Sequence, residues 1–146
     1  MTEKARSEIA KTKTLWVMLL AMGASQTTYM NICSLLPFFC AEHYPALNGF
    51  DIGVLLSIYQ ITFLITCPII GEKLSSIGRK NCILWGAFIL VLSTLLFGLA
   101  ALFTDLGTYY VMSMIGRGFQ GIGDAMICIA IPSIISIEYP KDSEKY

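Results

Sequence analysis

Charge is scarce in this chain of 146 residues, of which only 14% are Asp, Glu, Lys or Arg. Soluble domains carry about 25%, so the composition argues against a surface that is adapted to water. The formal net charge is +0, and a nucleic-acid partner is excluded because no basic face is left for phosphates. Hydrophobic residues make up 55% of the chain, which indicates a protein whose partner is the lipid bilayer.

The residues that build reactive centres are also few. The chain has one histidine, His43, and five cysteines, an odd number without the paired spacing of a disulfide framework. Cys40 lies close to His43 in sequence, but two donors do not make a zinc site. Residues 116–121 fit the dinucleotide pattern G-x-G-x-x-G, but they lie in an apolar segment without the preceding strand that this motif needs. We therefore expect no enzyme, no metal and no cofactor.

What the chain does contain is four long apolar segments, at about 15–39, 52–70, 82–103 and 109–137. Each reaches the roughly 20 residues with which a helix crosses the hydrocarbon of a bilayer. Lipid offers no water to the backbone, so these segments should be helices. The sequence predicts an all-α membrane protein with four transmembrane helices in one domain, 15–137, between tails at 1–14 and 138–146.

The basic residues predict the orientation of these helices. Lysine and arginine precede the first segment, lie between the second and the third, and follow the fourth, whereas the loops 41–51 and 104–108 contain neither. By the positive-inside rule, both termini and the loop from Gly71 to Asn81 are cytoplasmic.

The fourth segment carries polar residues at a depth where they are expensive. Residues 117–124 read Arg-Gly-Phe-Gln-Gly-Ile-Gly-Asp, and one ionisable residue at this depth costs about 2.5–3.5 kcal/mol. Arg117, Gln120 and Asp124 share one helix face, but Arg117 and Asp124 are roughly 10 Å apart along the axis, too far for a direct salt bridge. One interpretation is a polar stripe that lines a cavity, with Asp124 binding a proton or a cation; the other is a structural contact to a neighbouring helix. The glycines between these residues predict a bare face for close helix packing.

Two sequence motifs resemble those of the major facilitator superfamily. In the loop between the second and third helices, the family pattern is Gly-x-Leu-Ala-Asp-Arg-x-Gly-Arg-Arg/Lys, and the positions that match it here are Gly71, Gly78, Arg79 and Lys80. Ser75 stands where the family has an acidic residue. The fourth segment matches the fourth-helix motif Arg-x-x-Gln-Gly-x-Gly from Arg117 to Gly123.

This resemblance implies a fold and a function. The four segments would correspond to the first four helices of the N-terminal six-helix half of such a transporter. The chain would take part in secondary active transport of a small organic solute, coupled to a proton or another ion. Residues 34–39, Ser-Leu-Leu-Pro-Phe-Phe, resemble the drug and vesicular-amine antiporter branch.

The resemblance also implies roles for individual residues. The positions 71 and 78–80 would form a loop that switches conformation, and Arg117 would face the central cavity and help couple solute movement to a proton. The first helix lines the same cavity in this family, so its polar residues Gln26, Tyr29 and Asn31 are candidate substrate contacts. The polar residues of the second segment, Tyr59, Gln60 and Thr62, are interpreted as packing groups.

Four helices are fewer than this family's twelve. The simplest interpretation is an N-terminal fragment, whose partners would include the missing remainder of the transporter. The alternative is a non-transporting membrane scaffold or accessory subunit that packs against other membrane chains.

Overall fold

The computed structural model describes residues 3–138, with side chains from Thr12 to Ile137. The described residues form four helices: α1 (Glu3–His43), α2 (Gly49–Ile77), α3 (Arg79–Ala100) and α4 (Leu106–Glu138). The prediction of an all-α protein is therefore confirmed. Most of the predicted tail at 138–146 lies outside the described residues, whereas most of the predicted tail at 1–14 belongs to α1.

Three of the helices are long and apolar enough to cross a membrane. They are α2, α3 and α4, the last up to Ile137. The first helix is longer than any of them, but its polar residues from Ser25 to Asn31 lower the mean hydropathy of its central part. Three helices thus have the length and composition of membrane spans, and the fourth span stays a prediction.

The cytoplasmic loop that was predicted from Gly71 to Asn81 is almost entirely helical. The second helix continues to Ile77 and the third begins at Arg79, so that Gly78 alone separates them. Gly78 has a φ of +85°, a left-handed conformation that residues with a Cβ rarely adopt. The prediction of a loop was wrong because polar residues mark the place where a helix leaves the hydrocarbon, not the place where its hydrogen bonds end.

The fourth helix lies at the centre of the packing and contacts α2 on one side and α3 on the other. A Cβ at Gly123 would lie 2.8 Å from the carbonyl oxygen of Gly86, and one at Gly121 would lie 2.5 Å from that of Tyr59. The glycines of this helix therefore serve two faces, not the single face that the sequence suggested. Gly116 and Gly123 face α3, while Gly118 and Gly121 face α2.

Two apolar clusters flank the middle of α4. One, near the ends of α1 and α3, contains Cys40, Tyr44, Leu55 and Tyr109, and the other, near the α2–α3 junction, contains Leu74, Cys82, Met126 and Ala130. The opposite face of α3 is apolar and exposed, as a surface in contact with lipid should be. It includes Leu84, Phe88, Val91, Leu92 and Leu95. The polar residues of α4 lie between the two clusters.

Candidate functional site

Three polar side chains of α4 are withdrawn almost completely from the surface. Arg117, Gln120 and Asp124 are 0%, 1% and 1% exposed. A buried charge is costly unless polar groups replace the water that it loses. The partners of these side chains therefore decide what the site can do.

The Asp124 carboxylate accepts hydrogen bonds from three helices. Its Oδ1 accepts from the Ser25 hydroxyl of α1, and its Oδ2 accepts from the Tyr59 hydroxyl of α2. Gln26 Nε2 lies 3.4 Å from Oδ2, and Cys128 Sγ, one turn further along α4, lies 3.8 Å from Oδ1. We call Asp124 and these four partners the carboxylate cluster. It holds the anion with neutral donors alone.

Arg117 has a separate environment that contains no carboxylate among the described residues. Its Nη1 donates to Gln120 Oε1 at 2.8 Å, and its Nη2 lies 3.6 Å from Cys33 Sγ. Its Cζ is 5.5 Å from the ring centroid of Tyr29 and 5.2 Å from that of Tyr59. Two tyrosine faces therefore stabilise the guanidinium by cation–π attraction. As the spacing predicted, Arg117 makes no direct bond to Asp124.

The two tyrosines bring α1 and α2 together. Their rings stack with centroids 4.4 Å apart, and Gln60 Nε2 donates to the Tyr29 hydroxyl at 2.9 Å. The pair lies next to the carboxylate cluster because the Tyr59 hydroxyl belongs to both. Tyr59 was interpreted from the sequence as a packing group, and it is instead the residue that contacts both charged side chains of α4.

The predicted substrate contacts of α1 divide into two groups. Gln26 and Tyr29 lie at the site, the first beside Asp124 and the second beside Arg117. Asn31 does not join them, because its side chain is exposed and its amide donates to the Thr27 carbonyl oxygen of its own helix at 2.9 Å. The role of Asn31 as a substrate contact stays a prediction.

The four positions of the predicted conformational-switch loop also differ in their environment. Gly78 is the break between α2 and α3, and Arg79 Nε donates to Ser133 Oγ of α4 at 2.9 Å. Lys80 is exposed. Gly71 lies inside α2, and a Cβ there would meet no atom within 4 Å, so no close helix contact depends on this glycine among the described residues. Of these four positions, Gly78 connects α2 to α3, and Arg79 bonds the start of α3 to α4.

Comparison with known proteins identifies the family. The sequence profile of the Major Facilitator Superfamily matches residues 2–145, which is nearly the whole chain. The chain belongs to the Major Facilitator Superfamily. This family consists of membrane transporters and not of enzymes, so the expectation of a non-enzymatic, multi-pass membrane protein of this family is confirmed.

One curated relative of this major facilitator chain is "Multidrug resistance protein 2" of Bacillus subtilis (strain 168). The two sequences are 32% identical over 90 residues, which cover 62% of this chain and 21% of the relative. The match thus spans about a fifth of the length of the relative. No solved structure matches the chain.

Sequence reasoning missed several members of the site. Ser25, Tyr59, Cys33 and Cys128 all contact Asp124 or Arg117. The signal for Ser25 was its place in the polar patch of the first segment. A single tyrosine or cysteine in an apolar helix carries no comparable signal, because either side chain packs equally well as a hydrophobic group.

Proposed function

We propose that this chain takes part in secondary active transport of a small organic solute, with Asp124 as the group that binds the coupling proton or cation. The observation that carries the proposal is a carboxylate that is 1% exposed, reached from three helices, and bonded only to neutral donors. An ionised carboxylate without a cation is expensive in a membrane interior. Uptake of a proton or a cation from outside relieves that cost, which is the property that coupling requires.

Arg117 has a complementary role in this proposal. Its charge is permanent, since arginine stays protonated in proteins, and it lies two turns from Asp124 on the same helix. A fixed positive charge next to a group that gains and loses a proton makes the net charge of the site depend on the bound ion. Gln120, which accepts from Arg117, holds the guanidinium in place.

The proposal includes four membrane crossings, with both termini and the α2–α3 junction in the cytoplasm. The basic residues Arg79 and Lys80 at this junction support that orientation. The exposed apolar face of α3 supports contact with lipid. Gly78 and Arg79, through its bond to Ser133, would act as the joint between α2, α3 and the end of α4 when the protein changes conformation.

The class of solute follows from the named relative and from the aromatic groups of the site. The relative carries the name of a multidrug resistance protein, and the half-buried Tyr29 offers an aromatic ring at the site that suits flat organic molecules. We propose drug-like organic solutes that are exchanged for protons or another cation, with Gln26 and Tyr29 as contacts.

The alternative function is a membrane scaffold or accessory subunit that does not transport. One observation favours it: the hydrogen bonds of the carboxylate cluster join α1, α2 and α4 to one another, and a purely structural role would use the same bonds. In that case the cluster would matter for folding and not for ion coupling.

Replacement of Asp124 distinguishes the two functions. Vesicles that carry the protein are loaded with a pH-sensitive dye and exposed to ethidium or tetraphenylphosphonium under an imposed pH gradient. We expect gradient-driven uptake in the native protein, a loss of about tenfold or more in Asp124→Asn, and partial activity in Asp124→Glu, which keeps the carboxyl group. Gradient-driven uptake that is unchanged in Asp124→Asn would contradict the coupling role. Protein that unfolds on this substitution and moves no solute in its native form would favour the scaffold.

A further inference from the structure

Tyr59 is the one described residue that contacts both charged side chains of α4. Its hydroxyl donates to Asp124 Oδ2, and its ring centroid lies 5.2 Å from Arg117 Cζ. The side chain is 3% exposed, so that both contacts are made inside the protein. We infer that Tyr59 is a positioning residue that couples Arg117 to the state of Asp124. The inference rests on the role proposed above for Asp124 as the group that gains and loses a cation.

The surroundings of Tyr59 fix its ring between the two charges. On the α4 side, the absence of a side chain at Gly121 lets the Tyr59 carbonyl approach to 2.5 Å from where a Cβ would be. On the α1 side, the Tyr29 ring stacks on that of Tyr59, with centroids 4.4 Å apart. The side chain therefore cannot reorient freely, and a change at its hydroxyl is passed to its ring.

The physical link consists of two contacts in series. An ionised Asp124 is a strong acceptor for the Tyr59 hydroxyl, and a carboxyl group that has bound a proton is a weaker one. When this bond weakens, the hydroxyl loses its anchor and the confined ring is displaced slightly relative to the Arg117 guanidinium, whose attraction depends on its position over the ring face. Arg117 in turn lies 3.6 Å from Cys33 Sγ, so a displacement of the guanidinium changes the contact that covers this thiol and the access of a reagent to it.

Cys33 is therefore a native reporter of the position of Arg117. Its side chain is half-buried and its thiol is free. The rate at which N-ethylmaleimide modifies Cys33 can be followed by mass spectrometry of its peptide, with the complete protein in lipid nanodiscs. The readout does not require transport, so the inference and the proposed function can fail independently of each other.

The experiment compares the effect of Asp124→Asn in four backgrounds. In the native background we expect this substitution to change the Cys33 modification rate by about threefold or more. In Tyr59→Phe, which keeps the ring and removes the hydroxyl, the same substitution should have almost no effect. In Ser25→Ala, which removes the other hydroxyl bond to Asp124 but leaves Tyr59 intact, the effect should persist. In Tyr59→His, which keeps an aromatic ring and an N–H donor, Asp124→Asn should again change the Cys33 modification rate, but by less than in the native background.

Either of two outcomes would overturn the inference, and a third would do so if Tyr59→Phe does not fold. No response of Cys33 to Asp124→Asn in the native background would show that the two charged residues are not coupled. A response that is equally large in Tyr59→Phe would show that Asp124 acts through space or along α4 itself. If Tyr59→Phe does not fold, Tyr59→His is compared with Tyr59→Leu, which has neither ring nor donor. The inference is then contradicted if Asp124→Asn changes the Cys33 modification rate no more in Tyr59→His than in Tyr59→Leu.

Discussion

At the scale of single residues, the site places a buried arginine and a buried aspartate on one helix and keeps them apart. Arg117 is stabilised by aromatic faces and an amide oxygen, and Asp124 by hydroxyl and amide donors. A direct salt bridge would neutralise both groups permanently. Their separate environments leave Asp124 without a basic partner among the described residues.

The sequence identified the charged residues of this site but not their partners. Arg117 and Asp124 stand out because charge within an apolar segment has a known cost. Tyr59 is uncharged and does not stand out in its apolar segment. Its role depends on the register between α2 and α4, which Gly121 permits. Such a register results from the packing of residues far apart in sequence and could not be predicted from the sequence alone.

A prediction at this scale concerns Gly121 and Gly71. Gly121→Ala should destabilise the protein by about 1–3 kcal/mol, because the new methyl group collides with backbone that cannot move easily. Gly71→Ala is the matched control, since a Cβ there meets nothing within 4 Å and alanine is the better helix former by roughly 0.5–1 kcal/mol. Thermal unfolding in detergent measures both. A Gly121→Ala protein as stable as the control would contradict the packing described here.

At the scale of the helices, composition located the apolar segments but misplaced their ends. Helices α1 and α2 continue well beyond the hydrocarbon-length segments, to His43 and Ile77. The backbone conformation of Gly78 ends α2, and a side chain defines the start of α4. These are local features of geometry and capping, which hydropathy does not report.

Asp105 caps the first turn of α4. Its carboxylate accepts from the backbone N–H and the hydroxyl of Thr108, at 2.8 and 2.7 Å, a typical N-cap arrangement. These two bonds, that of the hydroxyl first, lower the pKa of Asp105 below its ordinary value of 3.8.

A pH prediction follows for this cap. Because the pKa in the folded protein is the lower one, the stabilisation is complete above the ordinary pKa and is lost as the pH falls through the folded value. Asp105→Asn keeps an acceptor but no charge. Native protein should unfold at a higher temperature than this variant at neutral pH, and the difference should shrink as the pH falls below the ordinary pKa of 3.8. A difference that stays constant over this range would exclude a contribution from the charge of Asp105.

At the scale of the whole molecule, the family is established, three helices are long and apolar enough to cross a membrane, and the crossing by α1 is a prediction. The polar residues that lower the hydropathy of α1 include Ser25 and Gln26, which bond to Asp124. The features that make α1 a poor span by composition are thus the same ones that bring it to the site. Hydropathy alone could not distinguish a helix that does not cross the membrane from one that crosses it with polar residues facing the site.

Single cysteines test the crossing and the orientation together. Lys13→Cys and His43→Cys lie 30 residues apart, about 45 Å of helix, which exceeds the roughly 30 Å of hydrocarbon. A membrane-impermeant maleimide added from outside should label position 43 and not position 13, and Ser76→Cys should resemble position 13. Labelling of positions 13 and 43 from the same side would show that α1 does not cross, and labelling of position 76 from outside would reverse the orientation.

The most direct test of the central claim, that Asp124 gains and loses a proton inside the membrane, is infrared difference spectroscopy of the protein in lipid as the pH is varied. The carbonyl stretch of a protonated, buried carboxyl group should grow as the pH falls in the native protein and be missing from Asp124→Asn. The same band in both proteins, or no change with pH in the native one, would contradict the claim.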